Sequence, residues 1–129
     1  NVITLDITPS ISPHSQIIQA YGNFQFKVSD VVHKTSLIVF HNESVQWSVK
    51  SIDTLDTSSF HTIIDASPAL EILLIGCGKS AELIEPNLLV DVKNAGIAVE
   101  SMDTGAACRT FNVLTVEDRQ VAAALIPVR

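Results

Sequence analysis

Between residues 16 and 49 the chain alternates. Phe24, Phe26 and Val28 are separated by Gln25 and Lys27, and Val45, Trp47 and Val49 by Gln46 and Ser48. A period of two sends successive side chains to opposite faces, so both runs predict half-buried strands. Gly22-Asn23 separates two such runs and predicts a two-residue hairpin connection. The tract Leu37-Ile38-Val39-Phe40 has no polar face and predicts a strand covered on both sides. His41-Asn42-Glu43-Ser44 then turns the chain into the Trp47 strand. Trp47, Phe24 and Phe26 together read as sheet core.

The period changes after residue 54. Phe60, Ile63 and Ile64 have helical spacing behind the capping candidates Asp56 and Thr57, and Ser67-Pro68 ends that helix. Glu71-Ile72-Leu73-Leu74-Ile75 is a short buried strand closed by Gly76-Cys77-Gly78. Pro86 suits the first turn of a helix through Lys93, with Leu88, Leu89 and Val92 inward and Gly96 as its stop. Residues 97 to 101 make the next strand. Asp103 is placed to cap a helix over about 104 to 116, with Ala107, Phe111 and Leu114 as its buried stripe. Gln120 to Leu125 is the last strand. The order is an antiparallel meander followed by a β-α-β-α-β unit, whose strands should run parallel through right-handed crossovers. It predicts a single α/β domain with a mixed sheet over residues 16–129, behind an extended arm, residues 1–15, that carries Pro9 and Pro13.

Composition narrows the function classes. The chain has 129 residues, enough for one domain, and is 47% hydrophobic and 17% charged, which gives material for a core. The formal charge is −6 and the eight Lys and Arg are scattered, so nucleic acid and anionic membrane surfaces are not expected partners. The longest apolar run, residues 121–128, is too short for a membrane-spanning helix. Two Cys do not make a disulfide framework. The start at Asn1 reads as trimming. These features fit a soluble protein of a reducing compartment, where a Cys77–Cys108 disulfide is disfavoured.

Several stretches carry chemistry. GCGKSA, residues 76–81, fits G-x-G-x-x-A after a buried strand, with Glu100 near the end of the next one, as in dinucleotide-binding folds. Pro86 interrupts the helix that such folds start at the glycines, and a meander precedes the motif, so glycines that let the chain turn are the simpler reading. Loops at the C-terminal ends of parallel strands nevertheless line the usual ligand crevice. Gly76, Cys77 and Gly78 leave from that edge, as do Met102, Asp103 and Thr104. Together they could bind a small anion, although a capping Asp103 would occupy the N–H groups of the helix.

MDTGAACRTF, residues 102–111, gathers an acid, a thiol and a guanidinium. Cys108 lies in the second helical turn, with Arg109 about a hundred degrees round the wheel, and reads as core more readily than as a nucleophile. Cys77, in the glycine loop, is expected to be the more exposed thiol. Arg109 has two readings: pairing with Asp103, Glu100 or Asp91, or clamping a substrate carboxylate. His14, His33, His41 and His61 show no metal-ligand spacing, and the acid pairs Asp53/Asp56 and Glu82/Glu85 read as solvated or capping groups. No metal and no cofactor is expected.

One family places these residues in the same order. Tyr21-Gly22 with Phe24, Ser36-Leu37-Ile38, Trp47, Ile75-Gly76-Cys77-Gly78, Gly96-Ile97 with Val99-Glu100, the run Met102-Asp103-Thr104 through Asn112, and Val121 to Leu125 all follow it. Over residues 16 to 128 the chain resembles a small domain family of unassigned activity that includes assembly factor 3 of mitochondrial respiratory complex I and short bacterial proteins. The family commonly has Thr at Cys77, Gly at Asp118 and Gly at Thr35. The resemblance implies a three-layer α/β fold around a central mixed sheet. It also implies an assembly or protein-interaction role with no established catalysis, with respiratory complex subunits or other assembly factors as partners. The location would be cytoplasmic in a bacterium and mitochondrial in a eukaryote. The alternative is a small-molecule or anion-binding protein, with or without catalysis. Its crevice would be built from Gly76, Cys77, Gly78, Met102, Asp103, Thr104, Cys108 and Arg109.

Overall fold

A computed structural model describes residues 2–6, 15–66 and 68–129. It contains strands β1 (Val2–Thr4), β2 (Ile18–Gly22), β3 (Gln25–Val28), β4 (Val31–His33), β5 (Leu37–Val39) and β6 (Ser44–Gln46). Helix α1 (His61–Ile64), strand β7 (Ile72–Gly76), helix α2 (Val90–Asn94), strand β8 (Ala98–Met102), helix α3 (Thr104–Val116) and strand β9 (Val121–Leu125) follow. Single 3-10 turns, Thr57–Phe60 and Pro86–Leu89, lead into α1 and α2. The expected arm contributes β1, while Pro9, Pro13, His14 and the Ser67 helix stop lie outside the described residues.

The strands form two sheets. A four-stranded antiparallel sheet runs β1-β2-β3-β4, and a five-stranded mixed sheet runs β6-β5-β9-β7-β8. Strands β7, β8 and β9 are parallel, and β5 joins antiparallel to both β6 and β9. The meander is therefore divided. Its first part stands as a separate sheet, and Leu37–Val39 leaves it to pair with β9.

Alternation along the central strands assigns the two cores. On β9, Ala122 and Ala124 face one way, and Val121, Ala123 and Leu125 the other. The first pair joins Ile38, Leu73 and Ile75 under Phe60, Ile63, Leu89 and Val92 from the α1 and α2 side. The second set joins Leu37, Val39 and Leu74 under Ile18, Phe26 and Val28 of the small sheet and Ala107, Cys108 and Phe111 of α3. The molecule thus has three layers, with the mixed sheet between them. Trp47 is buried, and its indole N–H donates to Ser59 O at 2.9 Å.

Two features hold α3 in place. Asn112 is buried and clamps β2 from both sides: Ile18 N–H donates to its Oδ1 at 2.9 Å, and its Nδ2 donates to Ile18 O at 2.8 Å. These bonds serve Ile18 where the β2–β3 register slips between Ile18 and Ala20. At the other end, Asp118 N–H donates to Thr115 O and Arg119 N–H to Leu114 O, both at 3.1 Å. That pairing closes the helix through a left-handed residue. Asp118, at φ 61°, holds the position where the resembled family commonly has Gly.

Candidate functional site

The three parallel strands end against the start of α3. Cys77 N–H donates to Met102 O at 2.8 Å, Thr104 N–H to Gly78 O at 2.9 Å, and Ile126 N–H to Gly76 O at 3.0 Å. The Thr104 side chain ties the same three segments together. Its hydroxyl accepts from Gly78 N–H at 2.9 Å and donates to Ile126 O at 2.7 Å. Thr104 is fully buried. A methyl group at Gly76 would lie 3.0 Å from both Thr104 Cα and Leu125 Cδ2, so a side chain there would crowd the start of α3 and the end of β9. Gly78 turns with φ +105°, a conformation that favours glycine.

The expected site residues take distinct places around this knot. Gly76, Cys77, Gly78, Thr104 and Cys108 are buried, Met102 and Asp103 half-buried, and Arg109 exposed. Asp103 caps α3 as expected, its Oδ2 accepting from Ala106 N–H at 3.1 Å. Cys108 packs in the α3 core, where burial pushes its thiol up to about 12. Cys77 is not the exposed thiol that its loop position suggested. It is 4% exposed, packs toward α1 and α2, and burial raises its thiol as well. The two cysteines are free and belong to cores on opposite faces of the sheet.

Arg109 does not pair as expected with Asp103, Glu100 or Asp91. Its Nη1 donates to Tyr21 Oη at 3.2 Å, and the ion pair recorded among the described residues is Arg119–Glu71 at 3.3 Å. The Tyr21 ring lies over Gly105, where an added Cβ would stand 2.5 Å from the hydroxyl. No helix begins at the glycine loop. Residues 77–85 are irregular before the turn at Pro86, so the dinucleotide-type phosphate cradle lacks its helix. Among the described residues, no group of three or more His, Cys, Asp or Glu is placed to hold a metal ion.

Two concavities lie elsewhere. One, of about 460 Å³, sits between the β5–β6 turn and α1, with His41, Glu43 and Asp65 in its lining. His41 is already held there, its ring nitrogens lying 3.2 Å from Ser15 Oγ and 3.0 Å from Thr115 Oγ1. The other, of about 610 Å³, is lined by Phe24, Lys79, Pro127, Val128 and Arg129. It lies just outside the knot, since Lys79 follows Gly78 and Pro127 follows Ile126.

Phe24 is not the strand residue that the alternation predicted. β2 pairs Gly22 with Gln25, so the turn residues are Asn23 and Phe24, at φ 53° and 57°. Two successive positive φ values make the mirror-image turn that matches strand twist, and its second position normally takes glycine. An aromatic residue there strains the backbone. The signal available in the sequence was Asn23 itself, whose pairing with a following residue marks such turns.

Against this geometry, comparison with known proteins is specific. The family described as a protein of unknown function (DUF498/DUF598) matches residues 18–126. The chain belongs to this family. A curated member from Xenopus tropicalis, named NADH dehydrogenase [ubiquinone] 1 alpha subcomplex assembly factor 3, is 43% identical over 116 residues. The match covers 90% of this chain and 63% of that protein, so the chain spans under two thirds of the relative's length. A crystal structure described as an outer membrane protein from Bartonella henselae superposes with TM-score 0.82 at 34% identity, covering 91% of this chain and 98% of that one. A Bordetella pertussis protein described as an Mth938-like domain shares the fold with TM-score 0.78 at 24% identity, over 97% of this chain and 92% of its own. Within the described residues no helix is long and apolar enough to cross a membrane.

Proposed function

We propose that this domain is a non-catalytic interaction module that serves the assembly of a respiratory NADH dehydrogenase. It would act in the cytoplasm of a bacterium or the mitochondrion of a eukaryote. The observation that carries this reading is the 43% identity, across 90% of the chain, to a protein named as an assembly factor of that enzyme. The use of polar atoms supports it. Thr104, Asp103 and Gly78 spend their hydrogen bonds on one another and on the backbone of α3 and Ile126, and the thiol of Cys108 is held protonated by burial.

The alternative, a small-molecule or anion crevice between the glycine loop and the Met102–Asp103 loop, has those bonds against it. A ligand there would have to displace the Thr104 hydroxyl from Gly78 N–H, leaving buried groups unpaired. The test is removal of the protein from its source cell. The proposal expects loss of fully assembled NADH dehydrogenase, with subassemblies accumulating on native gels. Assembled enzyme at the normal level would contradict it.

A further inference from the structure

The groove outside the Thr104 knot carries features that the fold leaves without a use. Phe24 occupies a left-handed turn position at φ 57°, and the residue is 58% exposed. Folding on its own would favour glycine there, and burial does not repay the strain. The turn is nevertheless fixed in place, because Phe24 N–H donates to Val128 O at 2.7 Å. The positive φ of Gly78 sends the chain on to Lys79, which lines the same groove, and Pro127, Val128 and Arg129 complete it. Neither the Lys79 nor the Arg129 side chain forms an ion pair with an Asp or Glu side chain among the described residues. In a chain of formal charge −6, the Lys79 ammonium and the Arg129 guanidinium line one groove with an exposed aromatic residue.

We propose that this groove is the docking site for an acidic segment of a partner protein, one that sets an apolar side chain on Phe24 and a carboxylate against Lys79 and Arg129. Charge complementarity selects the occupant. An acidic segment is attracted to this groove and repelled by most of the remaining surface, which fixes where and in what orientation it lands. Exposed aromatic residues and arginines are also the side chains that most often dominate binding energy at protein interfaces. Val113 and Val116, exposed on α3 beside Arg109, serve as the comparison.

This inference rests on the assembly reading, and the experiment separates the two. Wild type, Phe24→Gly, Lys79→Glu and Val113→Lys are expressed as the full chain in the source cell, and recovery of NADH dehydrogenase subunits is quantified after affinity capture. Wild type and Val113→Lys should recover them equally. Phe24→Gly and Lys79→Glu should recover at least about tenfold less while melting no lower than wild type. Peptides tiling the recovered subunit should bind wild type through an acidic stretch, and more weakly as salt rises. Equal recovery by all four proteins overturns the groove and leaves the assembly role standing. Failure of wild type to recover any subunit overturns both. Binding only to basic or uncharged peptides also overturns the stated partner chemistry.

Discussion

Thr104 bonds Ile126 and Phe24 bonds Val128, two residues further along the same segment, and the two residues are used in opposite ways. Thr104 is wholly buried and bonded on both sides, to Gly78 N–H and to Ile126 O. Phe24 is exposed, strained and beside Lys79 and Arg129, whose side chains form no ion pair with an Asp or Glu side chain among the described residues. A residue whose every interaction is returned within the fold needs no function to explain it. A residue that strains the backbone and leaves its side chain exposed points outward. The stretch MDTGAACRTF, which looks reactive when written out, thus belongs to the closed region, and the GNF turn to the open one.

The largest effect that would break this contrast is expected in alkali. Burial raises the folded-state value of Cys108 from 9.0 to about 12. A raised value means that the folded state holds its proton more tightly. The stabilisation is complete below about pH 9 and is lost as pH climbs toward about 12, up to about 4 kcal/mol in all. Unfolding free energies of wild type and Cys108→Ala, compared at about pH 8 and about pH 11, should show the steeper loss in wild type. Parallel losses would place the thiol in contact with solvent and the closed region in doubt.

Next in size is Thr104→Val. It leaves Gly78 N–H and Ile126 O buried without partners, a loss of about 3 kcal/mol in denaturant titration, whereas Thr104→Ser should lose less than about 1 kcal/mol. If valine and serine proved equivalent, the hydroxyl would not be what joins the loops. Asp103→Ala should lower stability by about 1 kcal/mol through removal of the helix cap. An unchanged melting temperature would release that carboxylate for another role. The smallest effect has the opposite sign. Phe24→Gly should raise stability by a few tenths of a kcal/mol to about 1, relief of left-handed strain being partly offset by the greater freedom of glycine when unfolded. A clear loss would mean that the ring contributes to folding after all.

Much of this fold was legible because it is locally encoded. Helix α3 over 104–116, its Asp103 cap, Pro86 at the head of the turn before α2 and the three parallel strands all follow from periodicity and end signals within a few residues. What could not be read locally is pairing at a distance. Whether β5 continues the meander or crosses to β9 depends on competition between partners, and its wholly apolar pattern does not name the partner. Asn112 meets Ile18 across 94 residues and Arg109 meets Tyr21 across 88, so the sequence offered nearby acids for Arg109 instead. The buried place of Cys77 likewise comes from Glu82, Met102 and the α1 and α2 core closing over the loop. Alternation continues through Phe24, and the shift of the turn by one residue takes it out of the strand.

The central claim is that the open groove, and not the closed knot, meets the partner. Its most direct measurement is photo-crosslinking in the source cell, with p-benzoylphenylalanine at position 24 and, for comparison, at position 113. Position 24 should form a crosslink to an acidic segment of an NADH dehydrogenase subunit or of another assembly protein, and position 113 should not. Crosslinking of that partner from position 113 alone would contradict the account.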